Sequence, residues 1–137
     1  MNDTHAQKEN IRETLALYCF YTDGGEGGKW VDLFTEDCIW DGGPFGYCGD
    51  KAALRAFNEK TGDAGVGLKH INTNLVIAVE GDEASVKSYV LVLGKADQGN
   101  PVLFAGHYED QMVRRDGRWL FKRRTVHTDL SKMVRPS

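Results

Sequence analysis

Residues 69–93 read KHINTNLVIAVEGDEASVKSYVLVL, and this stretch decides the fold. From His70 to Val79 polar and apolar residues alternate, which is the period of a strand with one buried face. Glu80 to Glu83 is a short polar segment containing a glycine, and the alternation then resumes from Ala84 to Leu93. The pattern predicts two antiparallel strands joined by a tight turn.

The chain continues in the same period downstream. Val102 to Arg114 and Arg118 to Asp129 are rich in β-branched and aromatic residues, and Asp116-Gly117 between them is a strong hairpin signal. Four long strands with short connections predict an antiparallel meander.

Upstream of residue 69 the sequence has a helical period. Asp3 or Thr4 can cap a first helix that runs to about Thr22, where a glycine cluster ends it. A second helix is predicted from Lys29 to Phe34, and a third is capped by Asp50 and ends near Thr61-Gly62. A short strand, Cys38 to Trp40, lies between the second and third helices.

Helices first and strands afterwards are typical of an α+β domain. We expect a single domain over residues 1–137, in which three N-terminal helices pack on a curved, mostly antiparallel sheet. Such a cone-shaped roll has a wide end that is a natural pocket for a small molecule.

Composition narrows the function classes. The 137 residues are 41% hydrophobic and 27% charged, with a net charge of −3, which is ordinary for a globular protein and gives no reason to expect nucleic acid as a partner. The three cysteines are an odd number without CxxC spacing, so they predict reduced thiols. No signal peptide or membrane span is visible, and we expect a cytoplasmic protein.

Asp23 is the most informative single residue. Ile11, Leu15, Cys19 and Asp23 recur at every fourth position and share one side of the first helix. The opposite side carries charged groups, so the stripe is the buried side. A carboxylate at the end of a buried stripe is costly unless another group pairs with it.

Histidines on the predicted sheet are the candidate partners. Alternation places His70 on one face with Asn72 and Asn74, while His107 and His127 lie on the third and fourth strands. An Asp–His pair in a dry pocket can act as base and conjugate acid. The alternative for each histidine is a hydrogen-bonded core residue without catalytic function. The spacing along the chain matches no compact ligand motif, so we predict neither metal nor cofactor.

Two further segments bear on a pocket. The glycines from Gly24 to Gly28 lack the spacing of a phosphate-binding loop and follow a helix, which favours a flexible loop at the pocket mouth. Among the aromatic residues, most of which belong to the core, Tyr21 or Tyr47 could donate a hydroxyl to a ligand, and Trp30 could form a wall for a flat ring.

Taken together, these segments resemble a SnoaL-like member of the nuclear-transport-factor-2-like superfamily, which includes scytalone dehydratase, polyketide cyclases and a hexachlorocyclohexane dehydrochlorinase. The resemblance covers nearly the whole chain. It depends on the segments YTD (21–23), WVDLFTED (30–37), KHINTN (69–74), GHYED (106–110) and RRDGRW (114–119).

The resemblance implies specific roles. Asp23 and His70 match the catalytic pair of the dehydratase-like and dehydrochlorinase-like branches. His107 is the plausible counterpart of a second pocket histidine, and His127 stands about where the dehydratase-like branch has an asparagine. Together with Tyr21, Trp30 and Tyr47 as substrate-binding residues, these residues form the predicted site.

The leading functional hypothesis is a cofactor-free lyase or isomerase that acts on a small cyclic or aromatic molecule. The alternative is a non-catalytic ligand-binding or structural domain, such as a partner similar to a dioxygenase β subunit, since one fold hosts many functions. We expect a homodimer or homotrimer, because apolar side chains on the outer face of the meander would otherwise contact water.

Overall fold

The computed structural model describes residues 3–62, 64–94 and 101–131. Its α-helices are α1 (Thr4–Asp23), α2 (Gly27–Val31) and α3 (Lys51–Thr61), with a single 3₁₀ turn at Gly43–Phe45. Its strands are β1 (Phe34–Asp41), β2 (Tyr47–Cys48), β3 (Lys69–Glu80), β4 (Glu83–Leu93), β5 (Val102–Arg115) and β6 (Arg118–Ser131).

The six strands form one mixed sheet in the order β2-β1-β6-β5-β4-β3. Neighbouring strands are antiparallel except β1 and β6, which run parallel. The helices cover one face of this sheet, which we call the concave face, and the other is the convex face. The predicted α+β class, with three helices on a curved and mostly antiparallel sheet, is confirmed.

Several predicted boundaries are wrong, and the errors have physical reasons. The second helix spans Gly27–Val31 instead of Lys29 to Phe34, because Phe34 opens β1 and is the register partner of Phe121. The first strand was predicted from Cys38 to Trp40, but it spans Phe34–Asp41 because it begins at Phe34. Strand β2 has two residues and was not predicted, because so short a strand has no period of its own.

Helix α1 is held at its start and along its buried side. The Asp3 carboxylate accepts hydrogen bonds from the backbone N–H groups of His5 and Ala6 at 3.0 and 3.3 Å, which satisfies two free donors of the first turn. The buried residues are Ile11, Thr14, Leu15, Tyr18 and Cys19. Their spacing of three and four residues places one side of the helix against the concave face.

A β-bulge in β6 reverses the faces of that strand. Gln111 pairs with Arg123 and Met112 with Phe121, so Lys122 is an extra residue opposite β5. Phe121 is buried before the bulge, and Arg124 is buried after it. Simple alternation from Phe121 therefore predicts the wrong face for the second half of the strand.

A buried ion pair lies at the centre of the concave face. Arg124 Nε and Nη2 donate to the two carboxylate oxygens of Asp110 at 2.8 and 3.1 Å, and both side chains are fully shielded from solvent. Burial raises the pKa of Asp110 although the guanidinium opposes this rise. Since arginine keeps its proton in proteins, the guanidinium is a fixed positive charge beneath α1.

The convex face carries exposed apolar side chains. Ile71, Val76, Tyr89 and Leu130 have between 41% and 71% of their surface exposed. They belong to the meander strands, where the sequence analysis placed a surface for self-association, and the oligomeric state stays a prediction. Within the described residues, no helix is both long and apolar enough to cross a membrane.

Candidate active site

Asp23, the last residue of α1, contacts His70, the second residue of β3. Asp23 Oδ1 lies 2.6 Å from His70 Nδ1, and Asp23 Oδ2 accepts a hydrogen bond from the backbone N–H of His70 at 3.0 Å. The two side chains are only 13% and 15% exposed. One carboxylate thus fixes both the ring and the backbone of a residue 47 positions away.

This geometry determines how His70 can act. An ionised carboxylate can only accept hydrogen bonds, so the short contact assigns the imidazole proton of the neutral ring to Nδ1. Nε2 then carries a free lone pair, and it has no hydrogen-bond partner among the described residues. A base whose other nitrogen is held by a carboxylate is suited to proton abstraction, because the imidazolium that forms is stabilised by that carboxylate.

His70 lines a cavity of about 310 Å³ between the helices and the concave face. The aromatic side chains that line it are Tyr18, Tyr21, Trp30, Trp40, Phe45, Phe57, Phe104 and Tyr108. The polar side chains that line it, besides tyrosines and tryptophans, are Thr22, Asn58, Thr61 and His70. The cavity is therefore mostly apolar, and within the described residues His70 is the one histidine that lines it.

Two tight contacts between neighbouring elements lie beside the cavity. A Cβ on Gly65 would lie 2.8 Å from the backbone oxygen of Thr22, so the loop before β3 rests directly on the end of α1. A Cβ on Gly27 would collide with the side chain of Asn58, so the start of α2 lies against α3. Gly25 and Gly27 thus line the cavity. The expected flexible loop is wrong for Gly27 and Gly28, because these residues begin α2.

The Tyr18 hydroxyl lies on the inner wall of the cavity. It accepts a hydrogen bond from Trp40 Nε1 at 3.2 Å, and the Arg124 guanidinium lies 4.2 Å from its ring centre. Burial raises the pKa of Tyr18 although Arg124 opposes this rise, so the hydroxyl stays protonated near neutral pH. Because an indole N–H only donates, the Tyr18 proton is available to another acceptor.

A second indole lies on the same wall. Trp30 Nε1 is buried and has no partner in hydrogen-bond geometry within the described part of the chain, although it is near enough to oppose the rise in the pKa of Tyr18. The Tyr18 and Trp30 rings are tilted, with centres 5.8 Å apart. Both residues line the cavity, and Trp30 Nε1 itself is buried.

His107 is not in this cavity, and its predicted place there is wrong. Along β5 the buried residues are Phe104, Tyr108, Asp110 and Met112, so His107 lies on the convex face. Its register partner on β4 is Tyr89, which is 59% exposed. His107 Nδ1 instead lies 3.1 Å from Asp129 Oδ2. Strict alternation from the buried residues gives this result, whereas the match by resemblance did not.

His127 and Tyr47 also lie outside the cavity lining, which corrects their predicted substrate-binding role. The bulge at Lys122 turns His127 to the convex face, where its ring stacks on that of His107 with centres 4.4 Å apart. Tyr47 is 62% exposed on the edge strand β2. By contrast, Tyr21 and Trp30 do line the cavity.

Other parts of the sequence analysis need correction or completion. Asn74 was grouped with His70 on one face, but it has a positive φ of 57° within a register shift of β3. Tyr18 was not selected as a site residue, although it lies on the buried side of α1, five residues before Asp23. Burial raises the pKa of Cys19 to about 11, so this residue is a protonated packing thiol.

Comparison with known proteins places this geometry in a family. A family model described as a SnoaL-like domain matches residues 3–125. The chain belongs to the SnoaL-like domain family. Gamma-hexachlorocyclohexane dehydrochlorinase from Sphingobium indicum is 28% identical over 130 residues, which cover 93% of this chain and 83% of that protein. The chain is thus similar to a protein that is named a dehydrochlorinase.

Solved structures agree on the fold. A scytalone dehydratase candidate from Novosphingobium aromaticivorans has a TM-score of 0.81 and 26% identity, covering 98% of this chain and 91% of its own. The β subunit of a candidate aromatic-ring-hydroxylating dioxygenase from the same organism has a TM-score of 0.79 at 22% identity, covering 94% and 93%. The second likeness shows the fold alone, whereas the first agrees with a small-molecule lyase or isomerase type of function.

Proposed function

We propose that this SnoaL-like protein is a cofactor-free lyase or isomerase in which Asp23 and His70 form the general acid/base pair. The observation that carries the proposal is the double hold of one carboxylate on His70, through Nδ1 at 2.6 Å and the backbone N–H at 3.0 Å. This hold directs the remaining ring nitrogen to a substrate in an apolar cavity.

The reaction would begin with a proton transfer. His70 Nε2 takes a proton from a carbon next to an electron-withdrawing group. In an elimination the C–H electron pair forms a double bond as a leaving group departs with its bonding pair. In an isomerisation the electron-withdrawing group holds that pair as an enolate and no group departs. In a dehydration the imidazolium returns the proton to the departing hydroxyl, and in an isomerisation it returns the proton to another carbon. Proton transfer of this type contributes about 10²–10⁴-fold to the rate.

The second function of the site would be to stabilise negative charge on the substrate. Tyr18 is proposed for this role, because its hydroxyl proton has no acceptor among the described residues and the Arg124 charge lies behind its ring. Fixed donors in a water-poor site act on developing charge without reorganisation.

The cavity also suggests the substrate class. Its lining is rich in aromatic side chains from helices and strands, and a volume of about 310 Å³ suits a molecule of one or two rings. Tyr21 and Trp30 are proposed as substrate-binding walls. The substrate would carry an oxygen or halogen that can accept a hydrogen bond from the Tyr18 hydroxyl.

The test is a substrate panel with matched variants. Cyclic β-hydroxy ketones are followed by absorbance of the enone, and γ-hexachlorocyclohexane by chloride release. For any compound that the protein converts, His70→Ala should lower turnover by about 10²–10⁴-fold. His107→Ala, with a histidine removed from the convex face, should retain it. A loss below threefold in His70→Ala would eliminate the proposal.

The alternative of a non-catalytic binding or structural domain predicts a different outcome. Compounds of the panel would then bind in the cavity without conversion, and substitutions at Asp23 would change affinity only. Binding is measured by quenching of the cavity tryptophans. A panel that binds but is never converted would favour this alternative.

A further inference from the structure

Four titratable side chains form a second cluster on the convex face, which we call the histidine–carboxylate cluster. It consists of His107 and Glu109 on β5 and His127 and Asp129 on β6. His107 and His127 are direct register partners, and Glu109 lies two residues from His107 on the same face. The cluster is therefore fixed by two rigid, hydrogen-bonded strands.

Three of its atoms lie close to the spacing of metal ligands. His127 Nε2 lies 3.4 Å from Glu109 Oε1, and His107 Nε2 lies 3.9 Å from the same oxygen. A tetrahedral ion with Zn–N bonds of about 2.0–2.1 Å holds neighbouring ligand atoms about 3.4 Å apart. The candidate ligand atoms of the three residues all lie within 4.8 Å of one another. A small contraction would therefore bring them to binding distance.

Asp129 supplies the outer contact that metal-binding histidines usually have. Its Oδ2 lies 3.1 Å from His107 Nδ1, which directs the free lone pair of His107 to Nε2, on the side of Glu109. Asp129 is the extra residue of a second bulge in β6, since Gly106 pairs with Thr128 and Ala105 with Leu130. A Cβ on Gly106 would collide with the carbonyl oxygen of His127, so the bulge depends on a glycine there.

We propose that the histidine–carboxylate cluster binds a divalent transition-metal ion, with His107 Nε2, His127 Nε2 and a Glu109 oxygen as ligands and solvent at the remaining position. Two imidazoles and one carboxylate favour Zn²⁺, Ni²⁺ or Cu²⁺ over Mg²⁺ or Ca²⁺. The site lies on the face opposite the cavity, so it is separate from the proposed acid/base pair. Its spacing along the chain is not compact, and for this reason the sequence analysis did not select it.

Two features limit the affinity. The imidazole planes are 11° from parallel, so one ring must rotate before both lone pairs point to one ion. The His107 and His127 side chains are 32% and 41% exposed, which leaves room for this rotation. Lys87 is the register partner of Glu109 on β4 and adds a positive charge nearby. The ion should therefore be exchangeable and removable by a chelator.

The experiment is calorimetric titration of the untagged full chain with ZnCl₂ in a non-coordinating buffer at neutral pH, with MgCl₂ as the control ion. We expect one Zn²⁺ per chain and no heat from Mg²⁺. His107→Ala and His127→Ala should each weaken binding at least tenfold, and Asp129→Asn by about tenfold. Circular dichroism checks that each variant is folded.

The remaining two histidines are the matched controls. His5→Ala and His70→Ala should leave the affinity for Zn²⁺ within twofold of the parent chain. No binding by the parent chain would overturn the proposal, and so would a loss in His70→Ala that His107→Ala does not share. Neither result affects the proposed acid/base function, because that function requires no ion.

Discussion

The protein presents the same chemical pair, a histidine and an aspartate, on each face of one sheet. On the concave side Asp23 and His70 are 13% and 15% exposed and 2.6 Å apart. On the convex side His107 and Asp129 are 32% and 56% exposed and 3.1 Å apart. The difference teaches that two pairs of the same residue types can have very different access to water.

What differs is the surroundings. The carboxylate of Asp23 also accepts a hydrogen bond from the backbone of His70, and this histidine lines an apolar cavity. His107 shares its surroundings with a second histidine and a second carboxylate, and water reaches all of them. Fixed geometry with little water suits proton transfer, whereas clustered and accessible donors suit an exchangeable ion.

The largest expected effect compares the two carboxylates directly. Asp23→Asn keeps the shape of the side chain but removes the charge that stabilises the imidazolium, so turnover of a panel substrate should fall by about 10²–10⁴-fold. Asp129→Asn is the same change on the convex face and should leave turnover within twofold. Steady-state rates of both variants decide the comparison, and equal losses would refute it.

A second prediction concerns Tyr18, the proposed hydrogen-bond donor of the cavity. Tyr18→Phe removes one hydroxyl and keeps the ring, so the maximal rate should fall by about 10²-fold, as for loss of one preorganised donor. The Michaelis constant should change much less. Tyr47→Phe, at an exposed tyrosine of β2, is the control. A rise in the Michaelis constant alone would mean that Tyr18 only binds the substrate.

The third prediction concerns stability. Asp23→Ala removes two part-buried hydrogen bonds that join α1 to β3, and it should lower the free energy of unfolding by about 1–3 kcal/mol. Asp129→Ala removes one exposed contact and should cost less than about 1 kcal/mol. Urea denaturation followed by tryptophan fluorescence measures both. The reverse order would show that Asp129 is the more structural carboxylate.

The smallest expected effect concerns the charge beside the histidine–carboxylate cluster of the convex face. Lys87→Ala removes a positive charge across the strand from Glu109, so the affinity for Zn²⁺ should rise by roughly twofold, the scale of an exposed charge interaction. Turnover should not change. Weaker binding in this variant would show that Lys87 supports the cluster instead of opposing the ion.

The sequence carried most of the fold because its patterns are local. Alternation from His70 to Leu93 and the hairpin signal at Asp116-Gly117 are read from neighbouring residues, and the structure has these strands in antiparallel register. The four-residue recurrence that ends at Asp23 likewise identified the buried side of α1. The parallel pairing of β1 with β6 joins distant segments, and no local pattern gives it.

The residues of the candidate site likewise include some that local patterns locate and others that depend on distant segments. The cost of burying Asp23 required a partner, and the alternation of β3 placed His70 at the start of its strand, where the two groups meet. The face of His107 follows from alternation along β5, whereas the face of His127 depended on one extra residue of β6, Lys122. A bulge shifts every later side chain to the other face, and a sequence period gives no warning of it.

By itself the sequence determined the two long helices and the four long strands, and that a carboxylate at the end of a buried helical stripe needs a partner. Both follow from hydrogen-bond periods and from the cost of removing charge from water. Only the tertiary structure decided which histidine contacts Asp23 and which two lie together on the opposite face. That choice depends on register across strands, which is a property of pairing between distant segments.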